Sequence, residues 1–285
     1  MFDPEMSPRS TLGLVDPEAA RQHFRLTRLA PAADLADLVE WHWVITWDLL
    51  PGGSYTQVVV PHPCANVVAE ADVFAAHAMP AGLFERTLTG AGGVVGTKLR
   101  PGALRVLAGL PGAGRRGEII PAERFLGEGV DVARASALAV AGALAGRPES
   151  AVGHLTPLFQ EAARRNGTLA GVAAVARVTE AFAVLRSLGP AEPVAGLAAA
   201  LGTTPRSLQR LFADWVGVGP KWVLQRHRVH LAAELLAREP ARELAELAAE
   251  VGYYDQAHFS TDFARATGHT PAAYARRCAG SLTTV

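Results

Sequence analysis

Two hydrophobic rhythms divide the chain. From about His23 to Ile120, apolar and polar residues alternate in short runs broken by Pro and Gly. Trp41-His42-Trp43-Val44-Ile45-Thr46-Trp47 is the clearest case, since a period of two puts Trp41, Trp43, Ile45 and Trp47 on one side of a strand. Leu50-Pro51-Gly52-Gly53 reads as a turn, and Tyr55–Val60 as the next strand, closed by Pro61 and Pro63. Val67–Ala69, Leu83–Leu88 and Val94–Leu99 are further strand candidates, and Pro31–Val39 is compatible with a helix. Short strands with Gly-rich joints predict a mostly-β domain, barrel- or sandwich-like. From Pro121 to about Gly167 the texture turns Ala-rich and helical, with a loop at Gly146-Arg147-Pro148-Glu149. Beyond Leu169 the apolar spacing is helical throughout, with stops at Gly189-Pro190, Gly202, Gly217-Val218-Gly219, Pro240, Gly252 and Gly268. The expected fold class is therefore α+β: a β-rich domain over residues 1–120, a helical connector over 121–167 and an all-α domain over 168–285.

The last third repeats itself. Leu197-Ala198-Ala199-Ala200-Leu201-Gly202 recurs fifty residues later as Leu247-Ala248-Ala249-Glu250-Val251-Gly252. After one inserted residue the offset becomes fifty-one, and Leu208, Phe212, Gly217 and Pro220 map onto Phe259, Phe263, Gly268 and Pro271. Each copy reads as helix, tight turn, helix. In the first, Val194, Leu197, Ala198 and Leu201 form an i, i+3, i+4, i+7 stripe, Gly202 ends the helix, and Thr204-Pro205 caps and starts the next. That next helix is expected to bury Leu208, Leu211, Phe212 and Trp215. In the second copy Leu244, Leu247, Ala248 and Val251 form the stripe, Asp255 is the cap, and Phe259 and Phe263 face inward. These are two helix-turn-helix motifs, over about 194–217 and 243–267, a layout whose second helix enters the DNA major groove by its N-terminal residues.

The outward residues of those second helices decide what could be read. Arg206, Gln209 and Arg210 carry groups that pair bidentately with guanine or adenine, each good for ~1–3 kcal/mol of discrimination. Gln256, Ala257, Ser260 and Thr261 are short or neutral, suited to a thymine methyl or a single hydrogen bond, so the first motif is expected to supply most base readout. Between the copies, Pro220–Glu239 predicts a helix spanning roughly 30 Å, close to the ~34 Å of a DNA turn. Val223, Leu224, His227, Leu231 and Leu235 give it one apolar face on which both bundles would pack.

On these residues the region resembles the DNA-binding domain of AraC/XylS-family transcription regulators. The most specific string is Ala248-Ala249-Glu250-Val251-Gly252-Tyr253-Tyr254-Asp255-Gln256-Ala257-His258-Phe259-Ser260, followed by Phe263, Thr267-Gly268, Thr270-Pro271, Tyr274 and Arg276. The resemblance implies two motifs in adjacent major grooves of double-stranded DNA, with contacts at Arg206, Gln209, Arg210, Gln256, Ala257, Ser260 and Thr261. Where that family often has Arg in the second reading helix, this chain has Thr261. Pro61–Val68 and Gly96–Ala103 are similar to an uncharacterised module found ahead of such domains, which implies a sensing or dimerising role, a small-molecule effector and a homodimer. An activator would also meet RNA polymerase.

Charge changes this picture only slightly. The chain carries 27 basic and 27 acidic side chains, which argues against a nucleic-acid-binding coat over the whole molecule. Residues 168–285 hold 12 Lys/Arg against 10 Asp/Glu, so phosphate neutralisation is expected from a handful of groups: Arg206, Arg210, Lys221, Arg226, Arg276 and Arg277. Cys64 and Cys278 are the two cysteines, which makes neither a disulfide framework nor a zinc cluster and points to a reducing compartment. Met1–Ser10 has no signal-peptide run and the longest apolar stretches are too short to span a bilayer, so a cytoplasmic protein without membrane attachment is expected.

The first domain offers weaker chemistry. Trp41, Trp43 and Trp47 could line an aromatic pocket or simply be core, and Lys98 and Arg100 could meet an anionic effector, a solvated strand face being the plainer reading. His62, Cys64, Glu70 and His77 fit no zinc spacing. Cys64 follows a proline, yet no Pro-Cys-His-Arg string accompanies it, so a cysteine alkyl-acceptor is a poor fit. His258, beside Phe259, is expected to be partly buried, and Glu234, Glu243 and Glu246 to form solvated helix faces. No catalytic group, metal or cofactor is expected; the alternative is a small-molecule-binding protein or enzyme using its helices for other contacts.

Overall fold

The computed structural model describes residues 17–282 apart from 72, 80–82, 110–116 and 128; Met1–Ser10 lies outside the described residues. After helix α1 (Pro17–His23), strands β1 (Arg25–Leu29) and β2 (Val39–Asp48) form an antiparallel pair around a single 3₁₀ turn at Ala33–Leu35, where a longer helix was compatible with the sequence. Strands β3 (Ser54–Val59), β4 (Asn66–Ala69), β5 (Phe74–His77), β6 (Phe84–Thr89), β7 (Ala91–Leu99) and β8 (Ile119–Pro121) complete the β region. Six of them make one antiparallel sheet in the order β1-β2-β7-β4-β5-β8, and β3 pairs with β6 as a separate ribbon. The period-two face of β2 is real: Trp43 lies opposite Gly96 and Trp47 opposite Gly92 on β7. A β-carbon at either glycine would overlap the indole beside it, so the missing side chains are what let the two rings lie flat on the sheet.

The other face of the sheet is covered by helices. α2 (Ala103–Ala108), α3 (Glu123–Leu126), α4 (Val132–Leu144), α5 (Pro148–Gly153) and α6 (Thr156–Asn166) share one core with Val39, Val44, Val67, Val95 and Leu99 of the strands. The helices read from sequence as a connector thus pack on the sheet itself.

Seven helices follow: α7 (Leu169–Ser187), α8 (Val194–Ala200), α9 (Pro205–Trp215), α10 (Pro220–Arg238), α11 (Leu244–Glu250), α12 (Gln256–Thr267) and α13 (Pro271–Leu282). They build two further cores. Leu197, Leu208, Phe212, Val223 and Leu224 centre the first, and Leu236, Leu247, Val251, Phe259, Phe263 and Tyr274 the second. The long helix α10 serves both, but not by one stripe. Pro220, Val223 and Leu224 are buried at its start, and Val229, Ala232, Ala233 and Leu236 further on. At ~100° per residue these two sets lie on roughly opposite faces. The single face expected from Val223, Leu224, His227, Leu231 and Leu235 is corrected accordingly, the last three being half-buried. Among the described residues no single helix is long and apolar enough to cross a membrane.

Candidate nucleic-acid interface

The second helix of each motif is started by a capping side chain. Thr204 Oγ1 accepts from the Ser207 N–H at 3.1 Å with Pro205 in the first turn, and Asp255 Oδ1 accepts from the His258 N–H at 2.7 Å. Gly202 and Gly252 both stand in left-handed backbone (φ +61 and +82), the conformation the turn needs and glycine takes without strain. The inward faces are held by Leu208 and Phe212 in α9, with Leu211 and Trp215 half-buried, and by Phe259 and Phe263 in α12.

Burying those faces turns the others out. Arg206, Gln209 and Arg210 are exposed on the first two turns of α9. Gln256, Ala257 and Thr261 are exposed on α12, while Ser260 is half-buried. The Thr261 hydroxyl donates to the Ala257 carbonyl at 2.9 Å, which leaves it an acceptor outward. Lys221 at the start of α10 and Arg276 in α13 are exposed as well. Arg226, by contrast, is half-buried and lies over the Trp222 ring at 4.8 Å. His258 is not the partly buried residue expected: its side chain is 57% exposed, 3.5 Å from Asp262, because the buried place beside Phe259 is taken by Tyr253.

The β region touches both motifs away from these outward faces. The Arg105 guanidinium lies 4.7 Å over the Trp215 ring and donates to the Asp214 carbonyl at 2.6 Å, at the C-terminal end of α9. Val60, with Val58 and Leu83 beside it, belongs to the core of the second motif. The imidazoles of His62 and His230 stack at 4.2 Å, and His230 Nε2 lies 3.4 Å from the Pro61 carbonyl. Burial, reinforced by the Arg226 charge, pushes the His230 pKa down to about 3, so His230 makes this contact as a neutral ring. Sequence spacing gave no sign of these contacts, since Pro61 and His230 lie 169 residues apart.

In the sheet, Trp41, Trp43 and Trp47 occupy one face, each with its own partner. Lys98 Nζ sits 3.8 Å from the Trp41 ring centre, Trp43 Nε1 donates to Asn66 Oδ1 and Trp47 Nε1 to the Thr89 carbonyl, both at 3.1 Å. Lys98 is not on the solvated face expected of it: it is 8% exposed and paired with Glu40 at 3.0 Å. Arg100 is half-buried, with Nε donating to the Ala36 carbonyl at 2.7 Å. Cys64 is buried, and burial pushes its thiol up to about 12, the opposite of what a nucleophilic cysteine needs.

Comparison with known proteins adds two family matches. Residues 197–277 match a family described as a helix-turn-helix domain, and residues 27–120 a domain of unknown function, DUF6597. No curated protein matches the chain. Among solved structures, it is similar to an AraC-type transcriptional regulator from Chromobacterium violaceum, at 21% identity over 39% of this chain and 96% of that one, with a TM-score of 0.34. It is also similar to the C-terminal domain of AraT, a response regulator from Geobacillus stearothermophilus, at 29% identity over 35% and 84%, with a TM-score of 0.33. A third is ToxT from Vibrio cholerae, at 12% identity over 93% and 100%, with a TM-score of 0.41.

Proposed function

We propose that this chain, a DNA-binding transcription regulator with an AraC-type helix-turn-helix domain behind a DUF6597 module, reads its operator chiefly through Arg206, Gln209 and Arg210. The observation that carries this reading is a duplicated helix-turn-helix with Arg206, Gln209 and Arg210, side chains able to pair with base edges, exposed on the first turns of α9. The second motif adds weaker contacts from Gln256, Ala257, Ser260 and Thr261, and Lys221 and Arg276 neutralise phosphates. The 19 residues of α10 span roughly 28 Å, a little under one turn of DNA, so the two reading helices engage neighbouring major grooves.

The first module modulates this binding, through a small molecule or by pairing two copies. The core that helices α3–α6 share with the sheet supports counting them with that module, with the limit to the DNA-binding domain near residue 168. Its direct packing on both motifs supports coupling between the module and the reading helices. The protein acts on DNA without changing it chemically; the raised thiol of buried Cys64 supports setting aside the alkyl-acceptor alternative. The test is selection from a genomic fragment library at moderate salt, followed by Arg210→Ala on the enriched site. Loss of roughly five- to hundredfold in affinity is expected, with relaxed preference at one base position. A wild-type chain that enriches no sequence above bulk DNA sinks the reading.

A further inference from the structure

One residue is inserted in the second copy relative to the first, and the insertion stands at the N-terminal end of α12. Aligning Gly202 with Gly252 and Thr204 with Asp255 leaves the first copy one residue between glycine and cap, and the second copy two, Tyr253 and Tyr254. Tyr253 goes inward, 6% exposed and packed against Phe259 at 5.4 Å between ring centres. Tyr254 goes outward and is 100% exposed, the most exposed large side chain with apolar character in the described protein. A phenol left wholly in water beside the start of α12 keeps both its ring face and its hydroxyl free for a partner outside the chain.

The chemistry of the neighbouring side chains says which partner. Among residues 253–261 there is no Lys or Arg, whereas the corresponding turns of the first motif carry Arg206 and Arg210. Arg265, the first arginine further along α12, is paired with Asp262 at 3.0 Å. Beside the Asp255 carboxylate, which accepts the His258 N–H in the cap, the donors at this end are neutral, and a phenol hydroxyl is one of them.

Building on the regulator reading above, we propose that Tyr254 is a DNA-backbone contact, its phenol donating a hydrogen bond to a phosphate oxygen at the edge of the groove that receives α12. This contact positions the second motif without adding charge. The two features together give it a signature that a cationic contact lacks: it changes affinity but releases no counterion.

The experiment uses the full chain and the site that the wild type selects. Tyr254→Phe keeps the ring and removes only the hydroxyl, and an unchanged thermal melt reports that the fold is intact. Expected is about tenfold weaker binding, the worth of one hydrogen bond to a charged acceptor. The slope of log affinity against log salt stays that of the wild type, whereas Lys221→Ala flattens it by about one unit. Wild-type affinity for Tyr254→Phe on a selected site overturns the contact alone, as does a loss accompanied by a flattened salt slope. Failure of the wild type to select any site removes the regulator reading itself, and the contact with it.

Discussion

His42 shows how one side chain can be both well placed and costly. It is wholly buried in β2, its Nδ1 2.8 Å from Thr97 Oγ1 and its ring beside Phe159. Burial pushes its pKa down to about 4. An imidazole in the unfolded chain titrates near ~6.5, so below that pH the unfolded state takes up a proton that the folded state refuses. His42 therefore costs nothing above that value, and stability falls by about 1.4 kcal/mol per pH unit on the way down, levelling once the folded group itself protonates. Urea melts between about pH 7.5 and 4.5 on wild type and His42→Gln check this. The variant should lose that share of the acid slope, whatever its stability at neutral pH; an identical slope in both would place the acid sensitivity elsewhere. At this scale the sequence was an uneven guide. It marked the tryptophan face of β2 through simple alternation, but not the burial of Lys98, because the pairing with Glu40 and the cover of Trp41 arise only once β2 and β7 lie side by side.

Elements whose determinants are local were the most legible. The caps Thr204 and Asp255, the turn glycines and the inward faces of α9 and α12 are all set within a few residues, and the structure has them where spacing puts them. The linker helix was misread because a stripe presumes one burial partner, and α10 has two on opposite sides. The strand order was not readable either, since β7 must leave its hairpin neighbourhood to lie between β2 and β4. The Asp255 cap carries a prediction of its own. Its carboxylate stabilises the start of α12 yet places a negative charge at the end proposed to face phosphates. Asn caps about as well as Asp. Asp255→Asn should therefore leave the melting temperature nearly unchanged and tighten binding to the selected site by about two- to fivefold at low salt, the gain fading as salt rises. Gel-shift titrations at two salt concentrations check it. Weaker binding would mean that this end of α12 does not approach the backbone.

Among the described residues the three largest cores touch one another, so the first module is packed on the DNA reader rather than tethered to it. The half-buried Trp215 packs against both the sheet core and the core of the first motif, and Val60 carries the β3–β6 side of the first module into the core of the second. Val60 is 1% exposed and shares that core with Val229, Ala233 and Tyr274. Replacing it by Asp would bury an unpaired carboxylate at a cost of several kcal/mol, so the protein has a cheaper course: release the contact and let water reach the charge. Hydrogen exchange on the full chain reads the outcome. Faster exchange is expected in β3, β6 and α11–α13, with β2 and β7 keeping their protection, because the pairing of those strands does not pass through Val60. Should protection instead fall evenly across the three largest cores, they unfold as one unit, and the module would have no way of loosening the second motif while the first stays in place.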